Sequence, residues 1–156
     1  MPRTIDPDSF GFLITDLTRL IRAEMDRLIS EAGLGITPGD ARTLSHVARA
    51  GAVKQAVLAD RIGVEAMTLS SSLDRLEAAG LLERQPDPAD RRANLVHLTE
   101  VGEALLARIK PLGVQMRRAA GEGVAVEDWN RLMVTMKQIR ANLCAARDAR
   151  KAVDAS

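Results

Sequence analysis

The chain has 156 residues but no tyrosine, only two phenylalanines, one tryptophan and one cysteine. A single thiol rules out an intramolecular disulfide and suits a reducing cytosol. With so few rings, a core must be assembled from Leu, Ile, Val, Met and Ala, which favours helices over the aromatic and β-branched strands of a sandwich. No apolar run approaches the roughly 18 residues that span a bilayer. The opening MPRTIDPDSF lacks the apolar stretch of a secretory leader. Catalytic patterns are missing too. There is no Ser/His/Asp arrangement and no glycine-rich phosphate loop, and His46, His97 and Cys144 are too scattered to form a metal site. The chain is therefore expected to be neither an enzyme nor a cofactor protein. Both histidines are expected to be structural or surface residues rather than ligand contacts, and Cys144 is expected to be a small buried hydrophobe at a subunit interface.

What is present is helical periodicity. Behind Asp8 or Ser9 as a cap, Phe10, Leu13, Ile14, Leu17, Leu20, Ile21, Met25, Leu28, Ile29 and Ala32 recur at three- and four-residue steps. Gly33 and Gly35 end that stripe. Thr37, Pro38 and Asp40 open a second helix that Gly51 closes. A third is expected from about Lys54 to Ile62, stopped by Gly63. A fourth is expected from about Glu65 to Ala79, stopped by Gly80, with Leu69, Leu73 and Leu76 inward. Residues 81–85 and 94–98 read as two strands, joined by a long turn rich in Pro, Asp and Arg. Thr99 caps a fifth helix in which Pro111 predicts a kink or a break. The sixth begins near Val126, carries Trp129, Leu132, Met133, Met136, Ile139 and Leu143 on one face, and ends in KAVDAS, which is expected to fray.

Two short helices joined at Gly63-Val64 and followed by a hairpin make a winged helix-turn-helix. The expected fold is mainly α with a small β-hairpin wing and six helices. Residues 36–98 form the DNA-binding region, and residues 1–35 and 99–156 form a helical dimerisation region. The first and last helices carry more apolar surface than the middle can cover, so a second copy of the chain is expected to bury it. Beside such a motif, the fourth helix is expected in a DNA major groove and Arg91 and Arg92 in the adjacent minor groove. Asp90 is expected to hold Arg92 by a bidentate pair. Thr68, Ser70 and Ser71 are candidate base contacts. Lys54 and Gln55 at the start of the third helix are candidate phosphate contacts, as is Arg75, whose alternative is a pair with Asp74 or Glu77.

LDRLEAAGLLERQPDPADRRANLVHLTEVGEALL, residues 73–106, resembles the MarR family of bacterial transcriptional regulators. The D-x-R of Asp90 to Arg92 and the L-T-x-x-G of Leu98 to Gly102 carry the likeness, and the order of six helices extends it. The resemblance implies a homodimer that binds palindromic operators in the cytoplasm. It implies repression relieved by a small anionic or aromatic effector or by an oxidant. It also places Ser70 and Arg84 near positions that hold a carboxylate ligand in some relatives, against an Arg84 salt bridge that braces the wing. Two features depart from the pattern. The recognition helix reads Thr68, Ser70, Ser71, Ser72 with Arg75 as its one cation, and residues 54–98 carry six basic and seven acidic side chains. An alternative is a winged-helix interaction protein that has lost sequence-specific DNA binding.

Overall fold

Side-chain caps at Thr37 and Thr99 open two of the helices in this chain, while Ser9, Lys54 and Glu65 precede others without a side-chain capping bond. A computed structural model, which describes residues 5–154, contains among them six helices and one three-stranded antiparallel sheet. In chain order these are α1 (Phe10–Glu31), α2 (Pro38–Ala50), β1 (Val53–Lys54), α3 (Gln55–Ile62), α4 (Ala66–Ala78), β2 (Leu82–Asp87), β3 (Asp90–Leu98), α5 (Glu100–Ala120) and α6 (Val126–Asp154). The chain falls into two units, one up to Met116 and one from Arg117 onward.

In the first unit, Thr37 accepts the Asp40 N–H at 3.1 Å and Pro38 occupies the first turn of α2, where no N–H is needed. Gly63 ends α3 at φ 72° and Gly80 follows α4 at φ 70°, a left-handed backbone that a β-carbon would disfavour. At Gly80 the N–H groups of Gly80 and Leu81 return to the carbonyls of Glu77 and Leu76, both at 2.9 Å. That double bond turns the chain sharply from α4 into β2. The core is aliphatic, as the scarcity of rings requires. Leu44 and Val47 of α2, Leu58 of α3, Leu69, Leu73 and Leu76 of α4, Leu82 of β2 and Val96 of β3 are all at least 98% buried. Ile29 of α1 and Leu105 and Ile109 of α5 close the cluster. Each fully buried Leu or Val contributes about 1.5–3 kcal/mol.

The L-T-x-x-G run is a structural corner. Thr99 donates its hydroxyl to the Gly80 carbonyl at 2.6 Å and its N–H to the Leu81 carbonyl at 3.2 Å, and its Oγ1 accepts the Gly102 N–H at 3.1 Å. Gly102 is buried, and a β-carbon there would overlap the Leu81 carbonyl oxygen. Glycine thus lets the start of α5 rest directly on the turn that leaves α4.

Several elements differ from the sequence reading. The hairpin does not have a long turn. β2 and β3 extend to Asp87 and Asp90, leaving Pro88-Ala89 between them, with an irregularity in register at Pro86 and Asp87. Arg91 and Arg92 therefore lie in β3, not at the tip of a loop. A further strand, β1, pairs with β3 at Val53–Val96 and Lys54–Leu95, so the sheet order is β1-β3-β2. Pro111 does not split α5, which runs through it. Pro111 and Ala107 are both exposed, so water can reach the carbonyl that Pro111 has no N–H to satisfy.

In the second unit, Glu127 and Asp128 occupy the first turn of α6, where the helix dipole favours acid. The Trp129 ring lies 3.6 Å from where a β-carbon on Gly121 would stand. Lys151 to Asp154, expected to fray, continue α6; residues 155–156 fall outside the described residues, as do residues 1–4. No residue of α6 is buried within the chain. Cys144 is exposed there, so it is not a core residue of this chain.

Candidate nucleic-acid interface

The side chains of α4 divide sharply. Leu69, Ser72, Leu73 and Leu76 face the core. Ser72, a polar residue within that stripe, donates its hydroxyl to Asp40 Oδ1 at 2.5 Å. Arg75 is not paired with Asp74 or Glu77 and is not free. It reaches back to α2, giving Nε to Asp40 Oδ2 at 3.0 Å and Nη2 to Asp40 Oδ1 at 2.8 Å. Burial alone would push the Asp40 carboxyl up. The hydrogen bonds from Arg75, Ser72 and Thr37, with the Arg75 charge, outweigh it and hold Asp40 below the usual carboxylate range. A fork of charge-assisted bonds thus sets α4 against the first turn of α2.

The opposite face of α4 is open. Thr68 and Ser71 are exposed and Ser70 is half-buried. The Ser71 hydroxyl bonds the Met67 carbonyl one turn back at 3.1 Å, while those of Thr68 and Ser70 bond no described residue. Met67 stands 84% exposed beside them.

The wing is braced from both sides. On β2, Arg84 gives Nη2 to Glu77 Oε2 and to Asp74 Oδ1, each at 2.6 Å, and its backbone N–H to Glu77 Oε1 at 3.0 Å. Glu77 first and Asp74 second hold the Arg84 guanidinium above its ordinary pKa. At the far end, Lys54 Nζ lies 3.2 Å from Asp87 Oδ2 and 3.6 Å from Asp90 Oδ2. Asp87 is buried and accepts the Ala89 N–H at 2.9 Å. That bond, and then Lys54, outweigh burial and keep its carboxyl low. Asp90 accepts the backbone N–H of Arg92 at 3.1 Å, where the sequence suggested a bidentate pair with its guanidinium. Arg91 and Arg92 are exposed and form no ion pair with a described residue.

Of the cations singled out in the sequence, Lys54, Arg75 and Arg84 are thus engaged by carboxylates, and Arg91 and Arg92 project unengaged from β3. Gln55, half-buried, opens α3 directly after Lys54. Asp40 escaped the sequence reading as a member of this site. Ser72, read with Thr68, Ser70 and Ser71 on the recognition helix, is instead buried against Asp40; a hydroxyl on an otherwise leucine stripe was its signal. His46 is half-buried on α2, and His97 has an Nε2 that is buried without a hydrogen-bond partner among the described residues. Neither joins this surface through a hydrogen bond or ion pair. No described helix is long and apolar enough to cross a membrane.

Comparison with known proteins gives a consistent picture. The sequence model of the MarR family matches residues 34–93. Wild-type MarR from E. coli in its apo form superposes with a TM-score of 0.73 at 24% identity, covering 86% of this chain and 98% of that one. A MarR-family transcriptional regulator from Silicibacter pomeroyi superposes with a TM-score of 0.72 at 25% identity, covering 85% and 88%. A cysteine-to-serine variant of E. coli MarR, complexed with operator DNA, superposes with a TM-score of 0.65 at 25% identity, covering 86% and 99%.

Proposed function

We propose that this chain, whose residues 34–93 match the MarR family model and whose fold matches MarR-family transcriptional regulators, binds a palindromic operator in the cytoplasm as a homodimer and represses transcription there, without catalysing a reaction. One observation carries the reading. An outward face of α4 with unengaged hydroxyls lies in the same unit as a braced wing whose two unengaged cations are Arg91 and Arg92. In this reading α4 enters the major groove and the arginines enter the flanking minor groove, whose narrow form concentrates negative potential. Residues 36–98 serve DNA, and residues 1–35 and 99–156 serve dimerisation. Support for the dimer comes from exposed Phe10, Leu13, Leu17 and Leu20 on α1 and exposed Leu132, Met136 and Leu143 on α6. Apolar surface of that extent marks an interface. Burial of Cys144 belongs to the same proposal.

Lys54 and Arg75 then serve chiefly to set the wing and the recognition helix, and Asp90 shapes the turn through the main chain. Ser70 and Arg84 remain the candidate effector contacts. An anion taken up by Arg84 must displace Glu77 or Asp74, which couples ligand to the brace between α4 and the wing. The test is an anisotropy titration on the promoter region of the protein's own gene, repeated with a panel of aromatic acids. Specific binding that an aromatic acid weakens supports the whole reading. Specific binding that no acid alters removes the effector, and absence of binding favours an interaction protein that has lost DNA recognition.

A further inference from the structure

The most exposed large apolar side chain on the DNA-binding region is Met67, at 84%. Its position is specific. Buried Leu69, Ser72, Leu73 and Leu76 define the inner face of α4, and at 100° per residue Met67 and Ser71 fall at the centre of the face directly opposite. Met67 is the second residue of the helix, in the turn that approaches base edges when such a helix enters a major groove. Around it the polar means of reading bases are depleted. Arg75 and Ser72 are bound to Asp40, and the Ser71 hydroxyl proton goes to the Met67 carbonyl. Ala66 and Thr68, its exposed neighbours in sequence, add methyl groups to the same turn. The most prominent group that α4 offers a base pair at this point is therefore a flexible thioether, not a donor or acceptor.

One feature of the major groove matches that chemistry, the 5-methyl group of thymine. We infer that Met67 is a specificity-determining residue that reads thymine by packing its side chain against this methyl. The inference rests on the operator-binding function proposed above and deepens it. It gives α4 a sequence preference that needs no bidentate arginine. It also explains why an unbranched, adaptable side chain is left in water, where it contributes nothing to the core.

The test uses the full-length protein and an operator selected from a random duplex pool. Each thymine facing the protein is replaced in turn by deoxyuridine, which lacks only the 5-methyl. The wild type is expected to lose about fourfold in affinity per half-site at one position, and about fifteenfold when both half-sites are replaced, from burial of one methyl each. Met67→Ala is expected to bind the thymine operator with a similar loss and to be indifferent to deoxyuridine there, while Met67→Leu keeps the preference for thymine. The exposed position predicts an unchanged melting temperature for both variants, which separates recognition from folding. Equal sensitivity to deoxyuridine in the wild type and Met67→Ala, or an unaltered affinity in Met67→Ala, overturns the assignment while leaving the regulator reading intact. A pool that yields no bound sequence overturns the regulator reading, and Met67 recognition with it.

Discussion

Gly102→Ala tests the corner on which the wing is mounted. In a helix interior this substitution ordinarily stabilises, because alanine has the better propensity by about 1 kcal/mol. Here the added methyl overlaps the Leu81 carbonyl oxygen, with the carbonyl carbon 3.0 Å and Leu98 Cδ2 3.4 Å away. The oxygen cannot turn aside, because it accepts the Thr99 N–H at 3.2 Å and belongs to the turn fixed by Gly80. Relief requires α5 and that turn to part by about 1.3 Å, to an ordinary C···O contact of about 3.3 Å. Overpacking of this kind costs about 1–3 kcal/mol and occasionally more. With a backbone atom as the obstacle, the upper end applies. The net expectation is a loss of about 2 kcal/mol, or about 4–8 °C in melting temperature for a chain of this size. Gly39→Ala in the first turn of α2 is the control, since its β-carbon would meet only Thr37 Oγ1 at an ordinary 3.8 Å. That variant should gain about 0.4–1 kcal/mol. Urea and thermal denaturation of both variants decide the matter. If Gly102→Ala is as stable as the wild type, the corner is not the fixed joint described above.

Three further outcomes are expected. Arg92→Ala should weaken operator binding by about 1–3 kcal/mol without altering the melting curve, and unchanged affinity in an anisotropy titration would remove the wing from the interface. Burial, then the charges of Arg49 and Arg42, hold His46 below the ordinary pKa of an imidazole. The unfolded chain therefore takes up the proton more readily, so this contribution to stability is complete above about pH 6.5 and is lost as pH falls toward the lower folded-state value. Urea midpoints should decline between about pH 7.5 and pH 5, and His46→Gln should decline less over the same range. Leu132→Asp with Met136→Asp places two charges on the exposed face of α6 and should yield monomers or aggregates in sedimentation; an intact dimer would show that this face is not the interface.

The parts of the fold that the sequence discloses are those whose causes are local. Thr37 and Pro38 announce α2, Gly63 and Gly80 announce the ends of α3 and α4, and the leucine spacing of α4 announces its inner face. The wing was harder to read because it projects from the core. With neither face of its outer half buried, DRRAN shows no alternation and reads as a loop. β1 is two residues long, too short for any period to register. The ion pairs were hidden for a different reason. Arg75 and Asp40 lie 35 positions apart, as Lys54 and Asp87 lie far apart, and no spacing rule connects residues that only tertiary folding brings together. Arg75 therefore read as a phosphate contact, with Asp74 or Glu77 on its own helix as the alternative partners, and Asp40 did not suggest itself. Met67 left a trace of the opposite kind, an apolar side chain lying off the apolar stripe.

The two braces of the wing have a mechanical consequence. Arg84 binds β2 to α4, and Lys54 binds the turn between β2 and β3 to the start of α3. The distance from the outward face of α4 to Arg91 and Arg92 is thereby set before any duplex arrives, and little loop entropy is left to lose on docking. A rigid span of this kind acts as a gauge. A duplex whose grooves already match the span docks as it is, while one with a wider or displaced minor groove must be bent or compressed to fit. In the proposed complex the adjustment would fall on the DNA, and stiffness in base pairs that the protein never touches would become part of what it discriminates.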